Sequence, residues 1–144
     1  MNEKVIALII KDRGATLPGG HLADGAFWFY GKDKGHFITS SKYADELPSW
    51  VKKFNKRGHA ERHLTAGWQI KRSEKDFAQE WPDNNPFEQP FQGGANATFP
   101  YDLKSLSATN GGYDILKSTP HGNTLVIDLA VQAMAGEDLG VDNH

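Results

Sequence analysis

The stretch AFWFYGKDKGHFIT, residues 26–39, decides the fold that the sequence predicts. Residues 26–30 form an aromatic run of the type that is enriched in β-strands. A polar segment with a glycine at each end, residues 31–35, separates this run from residues 36–39, where strand-type residues resume. Two such runs joined by a short glycine-containing loop predict a β-hairpin with antiparallel strands.

An apolar segment precedes the hairpin, and a glycine-rich connection links the two. Residues 5–10, VIALII, are short, rich in β-branched side chains and bounded by charged residues. This pattern predicts a strand that is buried on both faces. Residues 14–20 contain three glycines and a proline, so they predict a turn-rich connection between this strand and the hairpin.

Two helices are predicted after the hairpin. Four apolar residues recur at i, i+3, i+4 and i+7: Leu47, Trp50, Val51 and Phe54. This apolar stripe, followed by cationic residues and by Gly58, predicts a helix over residues 47–57. A capping pattern before two aromatic residues at helical spacing predicts a shorter helix over residues 74–81, which Pro82 ends.

Further strands complete the predicted fold. Alternating or short apolar patterns predict them at residues 67–72, 97–103, 112–117 and 124–132. The last segment also suits a helix, with Asn123 as its cap and Gly136 as its end. We therefore expect one α+β domain over residues 1–135, a mainly antiparallel sheet of about five strands with two short helices packed on it. Residues 82–112 are expected to form a long loop rich in Pro, Gly and Asn, and residues 136–144 a flexible acidic tail.

Composition excludes several classes of site. None of the 144 residues is a cysteine, so disulfides, thiolate catalysis and thiolate zinc sites are excluded. The longest apolar run is far shorter than the roughly 20 residues of a membrane-spanning helix, and the start of the chain lacks the features of a secretory signal. The sequence therefore predicts a cytoplasmic protein without a membrane segment.

The net charge of −2 conceals an uneven distribution along the chain. Residues 1–80 carry 14 of the 16 lysines and arginines and a net charge of +4, whereas residues 81–144 carry −6. Within residues 52–75, eight cationic side chains are opposed only by Glu61 and Glu74. This excess would attract an anion, although a solvated helix face or neutralisation by the acidic half would produce the same pattern.

These patterns predict a non-enzymatic binding or interaction protein that recognises an anionic partner: a nucleotide, a nucleic acid or an acidic protein surface. Aromatic residues interleaved with lysines resemble a stacking platform beside a cationic rim. The predicted ligand contacts are Trp28, Tyr30, Lys53, Lys56, Arg57, Arg62, Trp68, Lys71 and Arg72. Phe87 and Phe91 follow two prolines in the long loop, where they either anchor the loop or contact a protein partner.

An enzyme is the alternative, and it depends on GHAERH, residues 58–63. The segment follows a helix-ending glycine, so we expect a polar, partly exposed turn. In the alternative, a small hydrolase or ribonuclease-like enzyme, His59 and His63 act as acid and base and Glu61 orients one of them. Arg57 or Arg62 would then stabilise charge in the transition state.

Known catalytic motifs give no support to a particular enzyme. A zincin needs Glu directly after the first His, whereas Ala60 stands there. A zinc deaminase needs cysteines that the chain lacks. Neither a phosphate loop nor a Gly-x-Ser-x-Gly elbow is present in the sequence. No cofactor and no metal ion is therefore predicted.

Overall fold

The structure is a computed structural model that describes residues 4–71, 74–77 and 85–141. These residues form three strands and five α-helices. The strands are β1 (Ile6–Ile9), β2 (Gly25–Tyr30) and β3 (His36–Ile38). The helices are α1 (Asp12–Gly19), α2 (Ser49–Lys56), α3 (His59–Ala66), α4 (Leu103–Ser107) and α5 (Pro120–Gly136).

The sheet has the order β1-β2-β3 and is mixed. β2 and β3 are antiparallel, with Phe29 opposite Phe37, so the predicted hairpin is confirmed. β1 is parallel to β2 and joined to it through α1, with Leu8 opposite Phe27. The predicted first strand is therefore confirmed, but it lies at an edge of the sheet and is half-buried along its length.

The predicted fold class is wrong. In place of a mainly antiparallel sheet of about five strands with two short helices, the described residues form a mixed three-stranded sheet with five α-helices. Residues 12–19 are helical where a turn-rich connection was expected. The strands expected at residues 97–103 and 112–117 are replaced by α4, which begins at the end of the first segment, and by a 3-10 helix at Gly112–Ser118.

The longest helix, α5, takes the place of the strand predicted over residues 124–132. The alternation of apolar residues there fits a strand, but Leu125, Leu129 and Ala133 also recur every four residues. These three side chains form the buried face of α5. The helical alternative is the structure that the chain adopts: α5 ends at Gly136 as expected, but it begins at Pro120, before the predicted cap Asn123.

The core is built around aromatic side chains of the sheet and α2. Phe27 and Phe29 on β2 and Phe37 on β3 are buried against Val51 and Phe54 of α2. The apolar stripe that predicted α2 is thus its core-facing side, and this prediction is confirmed.

The segment GHAERH is part of a helix, so the predicted polar turn is wrong. Gly58 has a φ of +65°, a left-handed conformation that ends α2 and begins α3 without the steric cost of a Cβ. Ala60 and Leu64, four residues apart, are the buried residues of α3. Two buried residues in one short helix give a weak periodic signal, which explains why the sequence did not predict it.

The remaining predicted elements are shorter than expected. The strand at residues 67–72 is reduced to one antiparallel bridge between Trp68 and Tyr101. The second helix is a 3-10 helix at Glu74–Phe77, and residues 78–81 lie outside the described residues. In the described part of the chain, no helix has both the length and the apolar character needed to cross a membrane.

Candidate functional site

Helix α3 presents its predicted site residues on two different sides. His59 and His63, four residues apart, face α5: His59 Nδ1 lies 3.8 Å from an oxygen of Asp128, and the ring of His63 lies 4.7 Å from that of His121. Glu61 points away from them and accepts hydrogen bonds from other partners. The predicted acid-base cluster is therefore divided, with both histidines half-buried at a helix interface.

Glu61 is held on the outer side of α3 by three donors. Its carboxylate accepts hydrogen bonds from the Tyr113 hydroxyl at 2.6 Å, the Lys104 ammonium at 3.2 Å and the Thr65 hydroxyl at 3.2 Å. These donors, the Tyr113 hydroxyl above all, lower the pKa of Glu61. The carboxylate thus links α3 to α4 and to the 3-10 helix at Gly112–Ser118 by hydrogen bonds, and it orients neither histidine.

His59 is packed as a neutral side chain. Its ring stacks on Phe54 with 4.3 Å between centroids and 5° between planes. Because a guanidinium can only donate, the 2.8 Å contact with Arg62 makes Nδ1 an acceptor and leaves the proton on Nε2, which is buried and has no hydrogen-bond partner among the described residues. Burial lowers the pKa of His59, and the nearby Arg62 charge lowers it further.

His63 is also half-buried, and its ring packs against a second histidine. Nε2 of His121 donates a hydrogen bond to the Gly67 carbonyl at 2.8 Å, which fixes the ring that His63 contacts. Burial lowers the pKa of His63, and the proximity of His121 lowers it again.

We expect the stability of the chain to fall on mild acidification. The pKa values of His59 and His63 are lowered from 6.5 in the fold, so below pH 6.5 the unfolded chain binds more protons than the folded one. Their stabilising contribution is therefore complete above pH 6.5 and decreases as the pH falls toward the lowered values. Urea denaturation at a series of pH values between 8 and about 5 measures this.

A double variant isolates the two histidines. His59→Gln with His63→Gln is expected to flatten the dependence on pH in this window. The carboxylates of Glu61 and Asp102 have pKa values lowered from 4.5 and 3.8, so they change the stability only at a pH below this window. An equally steep dependence in the double variant would show that other groups are responsible.

The predicted cationic ligand contacts lie on several elements of the structure. Lys53, Lys56 and Arg57 are exposed on α2 and at its end, and Arg57 donates to Gln132 at 3.2 Å. Arg62 is engaged with His59 on α3. Lys71 is exposed, and Arg72 lies outside the described residues.

The predicted aromatic contacts are separated in the same way. On β2, Phe27 and Phe29 point into the core, which leaves Trp28 half-buried and Tyr30 exposed on the other face. Trp68 belongs instead to an aromatic cluster formed by Trp68, Phe91, Phe99 and Tyr101. Within this cluster Phe91 lies 5.2 Å from Trp68, whereas Phe87 is 82% exposed.

Two charged residues outside the predicted set lie at a position suited to an anion. Lys11 lies two residues after the end of β1, Arg13 lies in the first turn of α1, and both are exposed. Because β1 and β2 are parallel, their carboxyl ends lie at the same end of the sheet. Ligands of α/β folds commonly bind outside the carboxyl ends of the strands. The first amide groups of α1 have no partner inside the helix and favour an anion at the same place.

The sequence contained one signal for these two residues, namely charges placed directly after the strand predicted over residues 5–10. The glycines that follow predicted a turn in place of α1, and so concealed the helix terminus. No group of three or more His, Asp or Glu suited to a metal ion occurs among the described residues.

Comparison with known proteins gives no matching family model but several similar chains. The chain is 44% identical over 137 residues to a calcium-transporting ATPase of Myroides odoratus. It is 36% identical over 137 residues to the alkaline phosphatase PhoV of Synechococcus elongatus, and 37% identical over 142 residues to the alkaline phosphatase PafA of Elizabethkingia meningoseptica. These matches cover 95%, 95% and 97% of this chain, yet it spans only about a quarter of the length of these relatives.

Two solved structures of alkaline phosphatase PafA have a similar fold. The wild-type enzyme overlays with a TM-score of 0.86 at 36% sequence identity, over 98% of this chain and 27% of the PafA chain. The other is a variant with serine in place of a threonine and alanine in place of an asparagine, a lysine and an arginine; it overlays with a TM-score of 0.85 at 34% identity, over the same shares of the two chains.

The prediction of a non-enzymatic binding protein for nucleotides, nucleic acids or acidic proteins is wrong. The named relatives are phosphatases and an ATPase, and the similarity extends over almost the whole of this chain. The prediction rested on the net charge of residues 52–75, and local charge does not distinguish a non-enzymatic binding surface from part of an enzyme.

Proposed function

We propose that this chain forms the phosphate-binding part of an enzyme of the alkaline phosphatase type, which transfers a phosphoryl group from a monoester to water. The observation that carries the proposal is the overlay with PafA, a TM-score of 0.86 at 36% identity over 98% of the chain. A fold alone does not define an activity, so the proposal also needs residues with suitable chemistry.

Lys11 and Arg13 are the residues to which we assign contact with phosphate. The lysine and the arginine that are replaced in the PafA variant lie two positions apart in that chain. The present sequence contains a single Lys-x-Arg, at Lys11-Asp12-Arg13. This coincidence supports an equivalent pair here, because both residues are exposed at the end of the sheet described above.

The two side chains suit the charge that develops during phosphoryl transfer. The transferred group spreads negative charge over three equatorial oxygens. A guanidinium such as that of Arg13 binds two of these oxygens at once, and the Lys11 ammonium adds a point charge. Because β1 is paired with β2 along its length and Ala15 of α1 is fully buried, both side chains extend from a rigid base.

The proposal gives no catalytic role to the histidines of α3. His59 and His63 are half-buried against α5, and their lowered pKa values keep them neutral. The described residues contain no group of three or more His, Asp or Glu suited to a metal ion, so the proposal assigns no metal site to them. The part assigned to this chain is to bind and orient the phosphate.

A chimera tests the proposal. The 144 residues of this chain replace the matching quarter of the Elizabethkingia meningoseptica PafA chain, to which they are 37% identical. We expect the chimera to hydrolyse p-nitrophenyl phosphate. A PafA chain in which a flexible glycine-serine linker replaces the same quarter is expected to be inactive.

Two other results would contradict the proposal. A chimera that melts cooperatively but is no more active than the linker control would show that this chain does not serve as part of a phosphatase. A preference of the chimera for ATP over the monoester would instead favour the activity named for the Myroides odoratus relative, which is 44% identical to this chain.

A further inference from the structure

Helix α5 has apolar side chains on two opposite sides. One side carries Leu125, Leu129 and Ala133, which are buried in the core. The other carries Ile127, Val131 and Met134, spaced at i, i+4 and i+7, with 62%, 57% and 58% of their surfaces exposed. We call these three residues the outer stripe.

The polar residues of α5 do not interrupt the outer stripe. Asp128 and Gln132 lie on the flank toward α2 and α3, where Asp128 approaches His59 and Gln132 accepts a hydrogen bond from Arg57. Apart from a histidine in its first turn, Asp128 is the one ionisable residue within Pro120–Gly136. Adjacent exposed apolar side chains mark an interaction surface.

The length of the similar proteins indicates what covers the stripe. This chain overlays on PafA over 98% of its own length but over only 27% of the PafA chain. The three-quarters of such a protein that lie outside the match offer a partner for this part, and an apolar helix face is a surface that stabilises such packing.

We infer that the outer stripe docks onto a phosphatase body, meaning the other three-quarters of a phosphatase-length protein, in the same polypeptide or in a partner chain. The inference shares the PafA comparison with the proposed function. It concerns assembly, however, and holds whether or not Lys11 and Arg13 contact phosphate.

Charge argues against a membrane as the occupant. The turn after α5 carries Glu137 and Asp138, and Glu137 is paired with Lys4 at 2.5 Å, so this end of the helix offers an anionic membrane no free cation among these residues. Peripheral membrane helices instead carry Lys and Arg beside their apolar face. A second copy of this chain is the other possible occupant, and the experiment distinguishes it.

Cysteine labelling tests the inference, because the native chain contains no cysteine. Val131→Cys and Ile127→Cys report on the outer stripe. Lys53→Cys is the matched control on the exposed side of α2, since lysines are depleted from the centres of interfaces. In the isolated 144-residue chain, all three variants are expected to react with a maleimide at similar rates.

In the PafA chimera we expect protection of the outer stripe. The thiols of the Val131→Cys and Ile127→Cys variants, followed by mass spectrometry and normalised to the Lys53→Cys control, should react at least about tenfold more slowly than in the isolated chain. Equal rates in the chimera would overturn the inference. Protection already present in the isolated chain, together with a dimer in analytical ultracentrifugation, would overturn it in favour of a second copy.

A second measurement avoids dependence on the chimera. Hydroxyl-radical footprinting of intact wild-type PafA, which has been crystallised, reports on the segment aligned with residues 127–134 of this chain. Protection of that segment supports the inference, and strong oxidation contradicts it. Neither readout depends on turnover, so a failure here is distinguishable from an inactive chimera.

Discussion

Replacing Lys11 and Arg13 together by alanine is expected to lower kcat/KM of the phosphatase-length chimera for p-nitrophenyl phosphate by about 10²–10³-fold. The loss arises because two cations that neutralise the transferred group are removed. Both residues are exposed, and exposed substitutions usually change the free energy of unfolding by less than about 0.5 kcal/mol. Steady-state kinetics with a parallel thermal melt measures activity and folding separately.

Two sets of variants show whether the effect is specific. Lys53→Ala with Lys56→Ala removes the same amount of charge from the exposed side of α2, and activity is expected to be retained. Arg13→Lys keeps the charge but loses the bidentate geometry, so it should recover only part of the activity. Full activity of the Lys11 and Arg13 double variant would contradict the phosphate-binding role. A loss of activity in the Lys53 and Lys56 double variant would instead indicate a role for the cations of residues 52–75.

The elements that sequence predicted correctly have strong local signals. The apolar stripe of α2 spans two turns and is followed by Gly58, and the aromatic run of β2 and the strand-type residues of β3 flank a loop that has glycine at both ends. In these elements, intrinsic propensity, periodicity and turn residues agree. Tertiary contacts were not needed to identify them.

The missed helices depend on contacts that no local pattern reveals. Gly14 and Gly19 predicted a turn, yet they allow α1 to approach β1: a Cβ added to Gly14 would lie 2.8 Å from Ile9, and one added to Gly19 would lie 3.0 Å from Ala7. Gly122 similarly brings the start of α5 against the Leu116 carbonyl, where an added Cβ would lie at 2.8 Å. Glycine at a close backbone approach and glycine in a turn look the same in one sequence.

The candidate site was missed because conspicuous residues had structural roles. His59 and His63 attract attention as a possible catalytic pair, but the rings are used for packing against Phe54 and His121. Lys11 and Arg13 look like the ordinary charged boundary of a strand. Their significance depends on the parallel pairing of β1 and β2 and on the comparison with PafA, and neither is visible in local sequence.

The largest effect on stability is expected from Phe37→Ala. Phe37 is buried, and its ring contacts Phe29 and Phe54 edge-on, with centroid distances of 5.6 and 5.7 Å. Truncating a buried phenylalanine typically costs about 3–5 kcal/mol. The free energy of unfolding of a domain of this size is only about 5–15 kcal/mol, so the variant should lose a large part of it. The loss is measured as a lower urea midpoint by circular dichroism.

The backbone at Phe37 is held in place, so the cavity cannot easily collapse. The Asn55 side chain accepts a hydrogen bond from the Phe37 amide and donates one to its carbonyl, both at 2.9 Å. Phe37→Leu, which fills more of the space, should therefore cost clearly less than Phe37→Ala. The control Phe87→Ala, at a side chain that is 82% exposed, should change stability by less than about 0.5 kcal/mol. If Phe37→Ala were as mild as this control, the sheet and α2 would not share the core described here.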